Sequence, residues 1–284
     1  MTAERAPLDI TSVRARLGSD VVPRLELVDS AGSTNSELAA AASADPDAWP
    51  DFSIYLAEHQ AAGRGRAGRG WETPPGAALT VSFVLRPRVP SATFGWVGLL
   101  GALAVVRAVG AFGLVARAKW PNDVLVDAPR DAQEIDGWGR GRKVAGILGE
   151  VAAEAVVLGI GVNVLQEAAE LPVPWAGSLA SLGATVGERA REDLLVVLAH
   201  QLWQLDERWR AAGGDAAAAG LVEEYAAVSA TLGRAVAVER PGGEVVAGVA
   251  QGVADDGGLL VLRADGEREV VRAGDVHHLR VPGV

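Results

Sequence analysis

The segment His59–Gly76, HQAAGRGRAGRGWETPPG, carries five glycines and three arginines in eighteen residues. Gly63, Gly65 and Gly68 satisfy the spacing G-x-G-x-x-G. As a dinucleotide-binding turn, that spacing needs a strand before it and a helix after it. The strand is there: Phe52–Gln60 is apolar and β-rich. The helix is not, because Pro74 and Pro75 follow and then Ala77–Pro87 alternates as a second strand. The phosphate-loop pattern G-x-x-x-x-G-K-[ST] is absent as well. The element is therefore strand–loop–strand, which sets aside a doubly wound parallel fold.

Working outward, Asn35–Ser43 reads as a short helix behind Ser33 and Thr34, and Phe94–Phe112 as a buried helix. Four short strands follow, at 116–121, 123–127, 142–152 and 155–164. The connection 128–141, APRDAQEIDGWGRG, is polar and reads as a surface excursion between two paired strands. Arg191–Arg210 has helical spacing, and Asp215–Ser229 reads as a further helix weakened by Gly220. After about residue 230, short β runs alternate with PGG, DDGG and ADG turns, the texture of a small barrel of about five strands. The expected fold class is α+β: a mixed β-sheet flanked by helices, plus a small C-terminal SH3-like β-barrel. The expected division is an N-terminal segment 1–28, a catalytic unit 29–228 and the barrel 229–284.

The chain has 284 residues and a formal net charge of −10. An acidic chain is a poor general nucleic-acid binder, and an anionic ligand needs a local positive site. There is no cysteine, which excludes disulfides, a catalytic thiol and Cys-ligated zinc. No metal-ligand set is expected. The longest apolar run, Phe94–Ala116, is interrupted by Arg107, and the N-terminus has no apolar leader region. The expected location is the cytoplasm, away from the membrane.

Glycines let backbone N–H groups approach an anion, and arginines add forked donors. That chemistry suits a phosphorylated ligand; a solvated, mobile loop is the plain alternative. The three guanidiniums repel one another, so Ala61–Gly70 is expected to be mobile until an anion arrives. Three further stretches bear on the choice: GSTN (32–35), KWPND (119–123), and GRKVAGILGEV (141–151) followed by GIGVNV (159–164).

In this order these motifs resemble the biotin protein ligases (biotin–[acetyl-CoA-carboxylase] ligases), over roughly residues 30 to 165, and the tail from Leu232 resembles that family's SH3-like barrel. The resemblance implies a catalytic domain related to class II aminoacyl-tRNA synthetases and lipoate ligases. It implies two steps: biotin and ATP, with Mg²⁺, give biotinyl-5′-AMP, and the acyl group then passes to one lysine of a biotin carboxyl carrier protein. It places Ser33, Thr34, Asn35 and Gln60 on the ureido ring. Arg64, Gly65 and Arg66 lie over the carboxylate and α-phosphate, with Lys143 at the same junction. Gly146 admits biotin to the backbone. Arg66, Arg69, Trp71, Lys119, Asn122 and Asn163 belong to the nucleotide side, Trp71 packing on the ligand and Asn163 reading adenine. Asp123 either assists deprotonation of the acceptor amine or has a structural role, capping a turn or pairing with Lys119. Only about 30 residues precede GSTN, too few for the DNA-binding domain some relatives carry, so no DNA partner is expected. A lipoate–protein ligase of the same fold is the alternative.

Overall fold

The computed structural model describes residues 5–278. The last residues of the expected barrel, 279–284, and the first four of the chain lie outside the described part. The larger sheet has seven strands: β1 (Leu25–Ala31), β2 (Ile54–Gln60), β3 (Ala78–Leu85), β4 (Ala116–Lys119), β5 (Asp123–Asp127), β6 (Gly141–Ala152) and β7 (Ala155–Asn163). Their spatial order is β1-β2-β3-β7-β6-β5-β4. Only β1 and β2 pair in parallel; every other pairing is antiparallel. The sheet is thus mixed, and the strand–loop–strand reading of 59–76 holds.

β3 explains how the sheet separates two layers. All eight of its residues are buried, as in a central strand covered on both faces. Leu79, Val81, Phe83 and Leu85 join the large core. That core includes α3 (Gly95–Gly110) and α4 (Ala190–Ala211). Helix α3 is apolar almost all round because it lies between the sheet and α4. On the other face, α2 (Thr34–Ala44) packs over β3, β6 and β7. There Thr80 and Ser82 alternate with the apolar set: Thr80 Oγ1 donates to Ala57 C=O at 2.8 Å, and Ser82 Oγ to Thr34 Oγ1 at 2.9 Å. The pleat therefore directs polar side chains toward the N-terminus of α2.

Three elements differ from expectation. Helix α1 (Ile10–Leu17) and strand β1 both lie in the stretch taken as a plain N-terminal segment, with β1 running across position 28. The expected helix 215–229 is shorter: Gly220 adopts φ 68°, a left-handed start, and α5 spans Leu221–Val228 only.

The second sheet is antiparallel throughout, in the order β11-β10-β9-β8-β12. It comprises β8 (Ala235–Glu239), β9 (Val245–Val253), β10 (Leu259–Leu262), β11 (Arg268–Val271) and β12 (Asp275–His278). It is seated firmly on the first unit. Trp120 Nε1 donates to Gly257 C=O at 3.0 Å, Trp96 Nε1 to Ala254 C=O at 3.1 Å, and Trp120 N–H to Thr231 Oγ1 at 3.1 Å. Among the described residues, no helix is long and apolar enough to cross a membrane.

Candidate active site

A cavity of about 650 Å³ opens where β2, β6 and β7, the glycine loop, the 119–123 turn and β12 converge. Every residue to which the resemblance gave a role lines it: Ser33, Thr34, Asn35, Gln60, Arg64, Gly65, Arg66, Arg69, Trp71, Lys119, Asn122, Asp123, Lys143, Gly146 and Asn163.

One part of the wall, at the start of α2, is rich in hydrogen-bonding side chains. Ser33 caps α2 through Ser36 N–H, which fixes the start of the helix at the cavity. Gln60 Oε1 accepts from Thr34 N–H at 2.7 Å and from Thr34 Oγ1 at 3.1 Å. Asn35 Nδ2 donates to Glu150 Oε2 at 2.5 Å, whereas Asn35 Oδ1 is buried without a partner.

The glycine loop is a small closed hairpin. Gly65 N–H donates to Arg69 C=O at 2.7 Å and Trp71 N–H to Gly63 C=O at 2.8 Å, around a turn of 3₁₀ helix at Arg66–Gly68. Two of its three arginines have counter-ions. Arg64 pairs with Glu150 at 3.2 Å and donates to Ser36 Oγ at 2.8 Å. Arg69 pairs with Asp275 of β12 at 2.5 Å. Arg66 feels Asp275 and Asp123, yet burial holds its pKa below the ordinary guanidinium value, and its Nη1 has no partner. Internal carboxylates thus meet the charge of Arg64 and Arg69.

Burial also lowers the pKa of the Lys119 ammonium; Asp123 opposes the shift and Lys143 adds to it. Two cations held below their usual values in one cavity mark a place where added negative charge is welcome. Asp123 pairs with Lys143, Nζ to Oδ1 2.6 Å, and not with Lys119 as the structural alternative had it.

Trp71 lies across the floor of the cavity. A Cβ at Gly161 would stand 2.5 Å from its Cε2, so only glycine permits this approach. At Gly146 a Cβ would meet Trp71 Cζ3 and Lys143 Nζ, each at 3.3 Å. Gly146 thus lies against both the Trp71 indole and the Lys143 side chain. The Trp71 Nε1 is buried without a partner. Asn163 is buried; its Nδ2 donates to Gly177 C=O at 3.0 Å and its Oδ1 accepts from Gln166 Nε2 at 2.8 Å. One N–H and one lone pair of that amide are left over. Asn122 Nδ2 donates to Ile147 C=O at 3.2 Å, which ties the 119–123 turn to β6.

Several lining residues escaped the sequence reading: Trp138, Trp175, Asp275, Val276 and His277. Nothing in the local pattern of β12 signals a cavity two hundred residues upstream. Among the described residues, no group of three or more His, Asp or Glu side chains is gathered to hold a metal ion.

The same architecture occurs in the biotin protein ligase of Aquifex aeolicus in complex with biotin and ATP. That structure has a TM-score of 0.67 at 23% identity, covering 91% of this chain and 99% of that one. Residues 33–166 match the Biotin/lipoate A/B protein ligase family, and residues 231–279 match the Biotin protein ligase C terminal domain. The Biotin–[acetyl-CoA-carboxylase] ligase of Mycobacterium tuberculosis is 41% identical across 97% of both chains. That of Paracoccus denitrificans is 34% identical over 86% of this chain and 96% of its own. The chain belongs to the biotin protein ligase family.

Proposed function

We propose that this cavity joins biotin to ATP and then delivers the biotinyl group to a lysine of a biotin carboxyl carrier protein of an acyl-CoA carboxylase. The observation that carries the assignment is the company the cavity keeps: hydrogen-bonding side chains (Ser33, Thr34, Asn35, Gln60), five cations (Arg64, Arg66, Arg69, Lys119, Lys143) and the Trp71 indole line one space. Biotin carries groups that match both sets, a urea for the hydrogen-bonding side chains and a carboxylate for the cations. The unpartnered Oδ1 of Asn35 suits a urea N–H. The dithiolane of lipoate has no such donor, which favours biotin over lipoate.

A carboxylic acid with a pKa of about 4 is ionised at neutral pH, so the first step needs no general base. The carboxylate oxygen bonds to the α-phosphorus of ATP, and the bond to pyrophosphate breaks. The difficulty is the meeting of two anions. Arg64, Gly65 N–H, Arg66 and Lys143 cover that charge. Mg²⁺ arrives as the counter-ion of ATP and screens its phosphates. Arg69, Lys119, Asn122 and the free N–H of Asn163 address the nucleotide, and Trp71 packs against the ligand. In the second step the lysine amine bonds to the acyl carbon, AMP leaves, and the amine sheds a proton. Asp123 takes or orients that proton. The protein acts in the cytoplasm, and its net charge of −10 disfavours general binding to DNA.

The test is ATP-dependent incorporation of labelled biotin into a purified carrier domain. Incorporation that requires the carrier lysine supports the assignment. Pyrophosphate release with lipoate and none with biotin would reverse it.

A further inference from the structure

The β5–β6 connection, 128–141, lines the cavity yet has no part in the roles above. Its tip is a tight turn. The N–H groups of Trp138 and Gly139 both donate to Ile135 C=O, at 3.0 and 2.7 Å, and Gly141 N–H donates to Trp138 C=O at 3.0 Å. Gly137 and Gly139 flank the tryptophan with φ of 72° and 57°. Left-handed backbone on both sides bends the chain sharply about this one side chain.

The result is an indole turned onto the cavity. The Trp138 ring stacks on that of Trp175, with centroids 5.9 Å apart and planes 11° from parallel. Lys119 Nζ lies 3.9 Å from the Trp138 ring centroid. Trp175 belongs to a different connection, the one that follows β7, and that connection is anchored beside the proposed chemistry. Lys143 N–H donates to Trp175 C=O at 2.7 Å and Gly177 N–H to Lys143 C=O at 2.9 Å. Trp138 therefore links two separate connections and a cavity lysine through ring contacts. Such contacts are individually weak, so they can part and re-form at each turnover.

We propose that Trp138 is a positioning residue that retains the activated acyl nucleotide: its stack on Trp175 clasps the nucleotide end of the cavity, and its face steadies Lys119. The inference rests on the adenylation reading. A mixed anhydride that escapes before a carrier lysine arrives is lost to water, so a clasp that outlasts the first step and opens for the second has a clear use.

The test loads the full chain with biotin and labelled ATP in the absence of carrier, then chases with excess unlabelled biotinyl-AMP and follows loss of label. Trp138→Ala should release the adenylate about tenfold faster than wild type, whereas biotin alone should leave its binary complex within about twofold of the wild-type rate. Trp138→Phe keeps a stacking face and should restore most of the retention. Gly139→Ala keeps the indole but strains the turn, and should fall between them. Adenylate release from Trp138→Ala at the wild-type rate overturns the proposal. So does an equal acceleration of biotin release, which would make the residue merely structural. If the wild type forms no labelled adenylate, the adenylation reading fails first, and visibly so.

Discussion

Lys143 Nζ lies 2.6 Å from Asp123 Oδ1, so the cation proposed for the first step and the carboxylate proposed for the second form one ion pair. Both side chains are partly shielded from solvent, so loss of either partner leaves the other charge unpaired at a cost. Lys143→Ala should lower pyrophosphate release about 100-fold, the scale seen when a transition-state donor is removed. Near-normal release would remove Lys143 from the chemistry.

Asp123→Asn separates the two steps. Transfer from purified biotinyl-AMP to carrier should fall about 100-fold, and pyrophosphate release only about tenfold, through the loosened lysine. Equal losses would mean that Asp123 serves only to hold Lys143.

The arginine loop is held by exposed ion pairs, Arg64 to Glu150 and Arg69 to Asp275. Each contributes little, ~0–1 kcal/mol, so the loop is tethered rather than locked. Asp275→Asn should make trypsin cut after Arg64, Arg66 and Arg69 about threefold faster in the free protein, and biotinyl-AMP should slow those cuts. An unchanged digestion time course in both experiments would show that the tether has no mechanical part.

Gly161→Ala puts a methyl group where the Trp71 indole lies, 2.5 Å from Cε2. The ring must move, and affinity for biotinyl-AMP should drop about tenfold or more, ~1.4 kcal/mol, by calorimetry. A variant that binds normally would show that the position of Trp71 is immaterial to the ligand.

Asp206 bears on stability, away from the site. Burial raises its pKa from 3.8 to about 7, and Arg210, 2.7 Å away, opposes this only in part because it also pairs with Asp51 at 2.5 Å. The folded state thus holds the proton more tightly than the unfolded chain. The stabilising contribution is full below the unfolded value and is lost as pH rises through about 7. Wild type should therefore melt progressively lower between pH 4 and 8, relative to Asp206→Asn. Parallel melting curves for the two proteins across that range would refute the assignment.

Local pattern carried the reading of the sheet strands that flank Gly and Pro turns, and of helices such as α3 whose apolar surface is continuous. It failed where pairing partners are distant. Strand β1, LELVDSA, shows no clean alternation, and becomes a strand by parallel pairing with β2. Helix α1, ITSVRARL, buries only Val13 and Leu17, a stripe too short to announce itself. The site was legible wherever glycines and charges cluster in one stretch. Trp138 and Asp275 were not, since each reaches the cavity only through the tertiary fold. The likeness of 59–76 to an anion-binding loop was visible; the acids that balance it, Glu150 and Asp275, were not, because they come from β6 and β12.

The contribution of β12 to the cavity has a consequence in time. Asp275, Val276 and His277 complete a wall whose opposite side begins at Ser33. A ribosome makes that opposite side first and β12 after every other element named here. A nascent chain can fold its glycine hairpin and its seven-stranded sheet, yet Arg69 has no counter-ion until the last strand emerges and docks. The protein should therefore gain its grip on nucleotide only once β12 has been made, and a translation product interrupted before it would not hold an activated intermediate it is unable to pass on.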